Sequence, residues 1–348
     1  MQVIRIFGDL SYGSGNNTAL RGLIQSLETL GYTPEMLRVI GVEPGYFNCG
    51  FGSDKWFESY IFQDWPHERE DISIVLSDTE KMGRFDFSMH YGIAYCSSIE
   101  PCQVNNLNKF SEIWVPSSHL KADFQKRGVI KPIHVIRHAL LRGLLAHGVD
   151  RARSGLNKLR LYTIGQWDES LLKAYFATGW NVTSPVHLAC HCPPVARSDG
   201  GMQAESWKTQ EAAKALYHAE PKPGELPGFS LSTKALSYED LYNLHLSRDM
   251  YVTTNFSMSV VEALACGNPV IAVDGPGFEN LTELLRTIDQ DLDDVVWLFE
   301  AKSTLADALV LNGNHRSVPR SVASLVREYY SPSAVGALIA ERLKEINV

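Results

Sequence analysis

Short apolar runs alternate with amphipathic stretches of helical spacing, twice over, and that alternation leaves few folds open. Residues 3–7 (VIRIF) are a buried-strand run, and residues 8–17 (GDLSYGSGNN) are rich in turn formers. From Thr18 the positions Leu20, Leu23, Ile24, Leu27 and Leu30 share one helical face, and Gly31 stops the helix. A strand that feeds a helix through a glycine loop opens a doubly wound parallel sheet. Further strand-like runs lie at Ile72–Leu76, 85–89, 113–115 and 133–136, and the spacing predicts a helix over 119–127 behind the cap candidates Ser117 and Ser118. Residues 140–159, carrying Arg142, Arg151, Arg153 and Lys158, read as a linker. A second series follows, with strands at Leu159–Ile164, 186–189, Met250–Thr253 and 269–273 and helices over 171–178, 238–246 and 260–265. Residues 334–346 form a closing amphipathic helix. The expected architecture is α/β, two Rossmann-like domains facing a cleft. The N-terminal domain would span 1–145, the C-terminal domain 146–330, and the closing helix 331–348.

Bulk properties narrow the setting. A length of 348 residues can bury two cores without staples. A formal charge of −8 argues against a surface coated in basic residues, although a local basic groove depends on distribution and not on the sum. The start, MQVIRIFGDL, lacks a secretory pattern, and no stretch reaches the ~18–20 apolar residues of a membrane span. The cysteines are scattered, as reduced thiols would be, so the expected location is cytoplasmic. Cys190-His191-Cys192 before Pro193-Pro194 is short of metal ligands. A strand end entering a proline turn is the expectation there, and no metal is expected.

The chemistry concentrates in residues 250–274, MYVTTNFSMSVVEALACGNPVIAVD, which read strand, loop, helix, turn, strand. The helix starts near Ser257–Ser259, where free backbone N–H groups and the positive dipole end suit a phosphate. Glu262, about a turn further in, is placed to accept hydrogen bonds from ribose hydroxyls. Serine is also an ordinary N-cap and glutamate an ordinary first-turn residue, so both readings stand at this point.

EALACGNPVIAVD resembles the donor-site signature of retaining GT-B glycosyltransferases, the glycogen-synthase-like and mannosyltransferase-like superfamily that is family-four-like. The preceding YEDLYNLHLSRDMYV is similar to that family's helix and strand before the donor loop, residues 93–140 to its stretch ending in V-P-S and a Pro-His-Gly turn, and the first glycine loop to its N-terminal loop. The resemblance touches most of both halves in order. It implies transfer of a sugar from a nucleotide diphosphate sugar, UDP- or GDP-linked, to an acceptor hydroxyl with retention, without metal or other cofactor. Helix-end amides and cations would stabilise the leaving diphosphate.

It also assigns roles. Gly13, Gly15, Arg137, His138, Gly165, Gln166, Thr254, Asn255, Ser257, Met258, Ser259 and Glu262 fall on donor-binding positions, and His90 and Glu100 on catalytic ones. As ordinary residues, the same His90 is a structural histidine, Glu100 a surface acid, Gly13 and Gly15 a tight turn, and Trp167 a core residue. The departures are specific. The family's first glutamate of the E-x7-E pair falls on Thr254, its glycine turn on Asn255-Phe256-Ser257, and its pyrophosphate arginine on Gln166. Lys173 is the nearest lysine, and the Pro-His-Gly turn reads Arg137-His138-Ala139. Loss of two cations weakens charge compensation unless Arg137 substitutes. A binding or scaffold protein on the same fold, or a nucleotide-sugar epimerase, are the rival expectations; the second would need cleft acids and histidines that the sequence does not supply. A saccharide, a lipid-linked sugar or a hydroxylated nucleic-acid base are all open as acceptor. The basic run from His119 to Lys131 reads as an anionic-partner surface or a solvated helix face.

Overall fold

The computed structural model describes residues 3–10, 15–41, 55–61, 72–77, 79–85, 91–97, 103–148, 159–165, 169–178, 186–191, 228–232, 236–299, 307 and 318–346. The chain divides into two compact units, Met1–Arg142 with Glu328–Val348, and Gly143–Arg327.

In the first unit the elements run β1 (Ile4–Gly8), α1 (Gly15–Glu28), β2 (Leu37–Gly41), α2 (Lys55–Glu58), β3 (Ile72–Leu76), α3 (Thr79–Met82), β4 (Tyr91–Tyr95), α4 (Val104–Leu107), β5 (Glu112–Val115), α5 (Ser118–Lys126) and β6 (Ile133–Val135). The strands pair in parallel in the order β2-β1-β3-β4-β5-β6. A parallel sheet covered on both faces wants continuous apolar strands, and β1 and β3 are buried at every position. Side chains still alternate between faces. Ile4, Ile6, Ile72 and Ile74 pack with Leu20, Leu23, Ile24 and Leu27 of α1, while Phe7, Val75, Ala94 and Ile113 meet Phe124 of α5 on the other side.

The second unit begins within α6 (Arg142–Ala146). It continues through β7 (Leu159–Ile164), α7 (Glu169–Ala177), β8 (Val186–His191), β9 (Phe229–Ser232), α8 (Tyr238–Ser247), β10 (Met250–Thr253), α9 (Met258–Ala265), β11 (Val270–Val273), α10 (Glu279–Arg286) and β12 (Val296–Phe299). Its parallel order is β12-β11-β10-β7-β8-β9. The chain returns to the first unit through α11 (Arg320–Tyr329), and α12 (Pro332–Ile346) lays Val335, Ile339 and Leu343 into the core beside α1. A Cβ at Gly336 would lie 2.7 Å from the Ser26 carbonyl oxygen, so the α1–α12 approach requires glycine.

Several boundaries differ from the sequence expectations. The first helix starts at Gly15, ahead of Thr18, because Asn17 joins it while its side chain reaches back to the Asp9 carbonyl at 3.0 Å. The strand expected at 85–89 does not include Phe85, residues 86–90 lie outside the described residues, and β4 starts at Tyr91. β8 runs on through Cys190 to His191, and Cys192 lies outside the described residues. Among the described residues no helix is long and apolar enough to cross a membrane.

Candidate active site

In the second unit β7 is the first strand laid down. β8 and β9 extend the sheet on one side of it and β10, β11 and β12 on the other. Connections leave β7 and β10 in opposite directions, and the carboxyl ends of two such strands form the natural ligand crevice of an open α/β sheet. The register sets Tyr162 beside Tyr251. At their amino ends Arg160 grips Asp249 through Nε at 3.0 Å and Nη2 at 2.9 Å, which locks the pair side by side. At their carboxyl ends lie Gly165 and the loop from Thr254 to Ser257.

Gly165 has φ +133°, in the left-handed region, with open space where a Cβ would be, and its amide donates to the His191 carbonyl at 3.0 Å. Opposite, Thr253 Oγ1 donates to the Asn255 carbonyl at 3.0 Å and holds the loop in a tight turn with Asn255 exposed. The Tyr251 phenol is buried beneath this loop and donates to the Ile164 carbonyl at 3.1 Å, bridging the ends of β10 and β7. Burial raises its pKa, against the opposing pull of the nearby Ser257, Thr253 and Ser259 hydroxyls.

The N-terminus of the helix that Ser257 precedes differs from those of α5 and α8. Ser117 and Ser237 cap α5 and α8, accepting from Leu120 N at 3.2 Å and Asp240 N at 3.0 Å. Ser257 occupies the same N-cap position before α9 in extended conformation, yet its hydroxyl makes no capping bond. The first-turn amides of α9 are thus without a side-chain cap, and the dipole's positive end opens at the carboxyl edge of the sheet. Met258 and Ser259, partly buried, form that first turn. At the other end of α9, Arg327 donates to the Ala265 carbonyl at 3.3 Å.

Glu262 is 4% exposed on α9, and its Oε2 lies 3.3 Å from His245 Nε2. His245, Tyr162 and Asn268 are buried around it. These three and Tyr251 are site residues that the sequence reading missed, since each looks like a core residue of its own element. The pattern that carries the signal is polar atoms at apolar-face positions.

The other expected site residues are placed as follows. Gly15 opens α1, exposed, with nothing near a hypothetical Cβ. Arg137 lies in the first unit with its guanidinium carbon 3.5 Å from the centroid of the Tyr329 ring. His138 stacks on Tyr95 with ring centroids 5.1 Å apart; its Nδ1 is buried, and burial pushes its pKa down to about 4. Lys173 is paired with Glu169 at 2.7 Å on an exposed face of α7. On α5, Arg127 pairs with Asp123 at 2.8 Å. His90, Glu100, Gly13, Gln166 and Trp167 lie outside the described residues. Among the described residues no three His, Cys, Asp or Glu side chains are grouped as a metal would need.

Two parallel α/β units of this kind define the GT-B class of fold. Residues 231–284, which hold β10, α9 and β11 with the loop between them, match the family described as Glycosyl transferases group 1. By structure the chain is similar to sucrose-phosphate synthase from Thermosynechococcus elongatus, with TM-score 0.68 and 12% identity, covering 99% of each chain. It is similar too to the Anabaena protein HepE, solved with UDP and glucose, with TM-score 0.67 and 13% identity over 99% of this chain and 100% of that one. A trehalose-6-phosphate synthase described for glycosyl transfer with retention gives TM-score 0.64 at 10% identity, over 98% and 99%. No curated protein matches the chain by sequence. The GT-B fold and the resemblance to its glycosyltransferases, both expected from the sequence, are borne out.

Proposed function

We propose that this chain is a retaining glycosyltransferase that takes a sugar from a UDP- or GDP-linked donor and passes it to an acceptor hydroxyl. One observation carries the reading. At the carboxyl edge of β7 and β10 the uncapped start of α9 and the buried carboxylate of Glu262 lie within one helix, in the segment that matches the glycosyltransferase family. The amide end suits an anionic diphosphate and the carboxylate suits the ribose hydroxyls of the same nucleotide. The protein's contribution is to hold the leaving diphosphate against fixed dipoles while the acceptor attacks, work that needs no metal. Retention is supported by likeness to the trehalose-6-phosphate synthase, and a uridine nucleotide by likeness to HepE.

Thermal unfolding with UDP, GDP, ADP and TDP at millimolar concentration tests the binding half. At least one is expected to raise the Tm, and no rise with any of them overturns the reading. Release of nucleoside diphosphate from a panel of donor sugars tests the transfer half. A second reading, a nucleotide-binding protein without turnover, is favoured by Thr254, where the family carries the glutamate that meets the donor sugar. Binding with no release from any donor would select it.

A further inference from the structure

We propose that Asn268, Tyr162 and His245 form a one-way hydrogen-bond relay that fixes the His245 tautomer and turns its Nε2 toward Glu262, with His245 as the positioning residue of that carboxylate. The proposal rests on the reading of Glu262 as the group that meets the donor's ribose. Its own content is the direction of the relay and the tautomer that direction imposes.

The four side chains come from separate places in the second unit: Tyr162 from β7, His245 from α8, Glu262 from α9 and Asn268 from the turn into β11. Asn268, Tyr162 and His245 are fully buried and Glu262 is nearly so. Buried polar groups brought together across four elements are costly unless each is satisfied. The direction follows from chemistry. The Asn268 side-chain atom 2.7 Å from the His245 carbonyl oxygen must be the amide nitrogen, because a carbonyl only accepts. Its second hydrogen goes to the Tyr162 hydroxyl at 2.8 Å, so that oxygen is an acceptor from Asn268. In the proposed relay Tyr162 directs its own proton to His245 Nδ1 at 2.8 Å, the assignment that the tautomer spectrum decides. An imidazole that accepts at Nδ1 is neutral and carries its hydrogen on Nε2, which faces Glu262 Oε2 at 3.3 Å in an electrostatic contact short of a full hydrogen bond.

Packing holds the relay in register. Tyr162 meets the His245 ring edge-on at 5.4 Å between centroids and lies 5.1 Å from the Tyr251 ring, so neither ring is free to turn. His245 is held at both its carbonyl and its ring by one asparagine–tyrosine pair. Nε2 thus faces the carboxylate on its Oε2 side, and the proposed ribose contact is made by a carboxylate held in that orientation. Polar partners behind a ligand-contacting group set its orientation in this way at many sites.

The test uses the full chain with ring-labelled histidine and long-range nitrogen–proton correlation spectra, the His245 signals being assigned by their loss in His245→Gln. The expected pattern at neutral pH is the neutral Nε2–H tautomer. The Nδ1–H tautomer or an imidazolium overturns the relay. Titration with UDP and GDP then reads the positioning role. His245→Leu and Tyr162→Phe are each expected to weaken nucleotide binding about tenfold. His245→Gln, which presents an N–H toward Glu262, is expected to retain most of the affinity. Equal affinity in the Leu and Gln variants overturns the role of His245, and unchanged affinity in Tyr162→Phe overturns the relay's part in binding. Should the wild type bind no nucleoside diphosphate, the donor reading falls, and the tautomer spectrum still decides the relay.

Discussion

Among the described residues two glutamates lie buried, one in each unit, and they are held in opposite ways. Glu112 on β5 is fully buried and saturated. It accepts from Trp114 Nε1 at 2.7 Å, from the Tyr91 hydroxyl at 2.8 Å and from Arg342 Nε at 2.9 Å, with a further Arg342 bond through Nη2. Glu262 is nearly as buried, yet among the described residues His245 is the side chain that reaches it, at 3.3 Å, and no guanidinium does. Burial alone therefore does not mark a functional carboxylate. The informative quantity is how much of its acceptor capacity the fold has already used. Glu112 has spent its capacity joining α12 to the sheet, while Glu262 is met by the His245 ring and, among the described residues, by no hydrogen bond as short as those on Glu112.

The sharpest way to break this contrast is to remove the partner of the saturated carboxylate. Arg342→Met leaves Glu112 buried without its counter-charge and is expected to cost about 3–5 kcal/mol. Hydrogen exchange should show lost protection across β4, β5 and α12 and unchanged protection in the second unit. Glu262→Gln should do the reverse. Stability is expected to hold within about 1 kcal/mol, since an amide fills the same space beside His245. Nucleoside diphosphate affinity should drop by about ten- to a hundredfold for loss of a charged acceptor. If Glu262→Gln costs as much stability as Arg342→Met while its folded form binds nucleoside diphosphate with unchanged affinity, the two carboxylates are alike and the contrast fails.

Histidine burial offers a comparison between units that pH can read. His138 in the first unit and His191 in the second are both pushed by burial down to about 4, from an ordinary value near 6.5. Both are neutral in the fold and take up protons more readily when unfolded. Stability is therefore flat above about pH 6.5 and falls as the pH drops toward 4, by about 2 kcal/mol for His191 at pH 5. His191→Asn should flatten that slope in the second unit, with protection from exchange at pH 5 and pH 7 as the measurement. The smallest contrast lies in two glycines expected at the donor site. Gly165→Ala forces a side chain into φ +133° and should cost about 1–2 kcal/mol, whereas Gly15→Ala meets open space at ordinary φ and should change stability by less than about 0.5 kcal/mol. Chemical unfolding of each variant separates them.

What was legible in the sequence follows what local pattern encodes. β3, β7 and β10 were read with the bounds they have, because continuous apolar runs between breakers admit little else. The Ser117 cap was readable from position, and so was the strand–loop–helix around Ser257. β2 was not singled out, since Arg38 interrupts its run, and α10, β12 and α11 are short elements whose faces make sense only once packed. At the site, Ser257 and Glu262 were visible through their helix, but the lack of a capping bond from the Ser257 hydroxyl was not. Nor was the assembly of Tyr162, His245 and Asn268, which are up to 106 residues apart and join only in three dimensions.

One consequence comes from the way α12 rejoins the first sheet. Residues 143–327 form an uninterrupted stretch with a sheet of its own, whereas the first unit needs residues 328–346 to cover α1 and to give Glu112 its arginine. On the ribosome, the half made second has its complete set of parts before the half made first. The growing chain must carry an α1 surface of Leu20, Ile24 and Leu27 without the cover of α12 until that helix emerges, so the apolar stripe on α1 is the surface that chaperones would meet during synthesis.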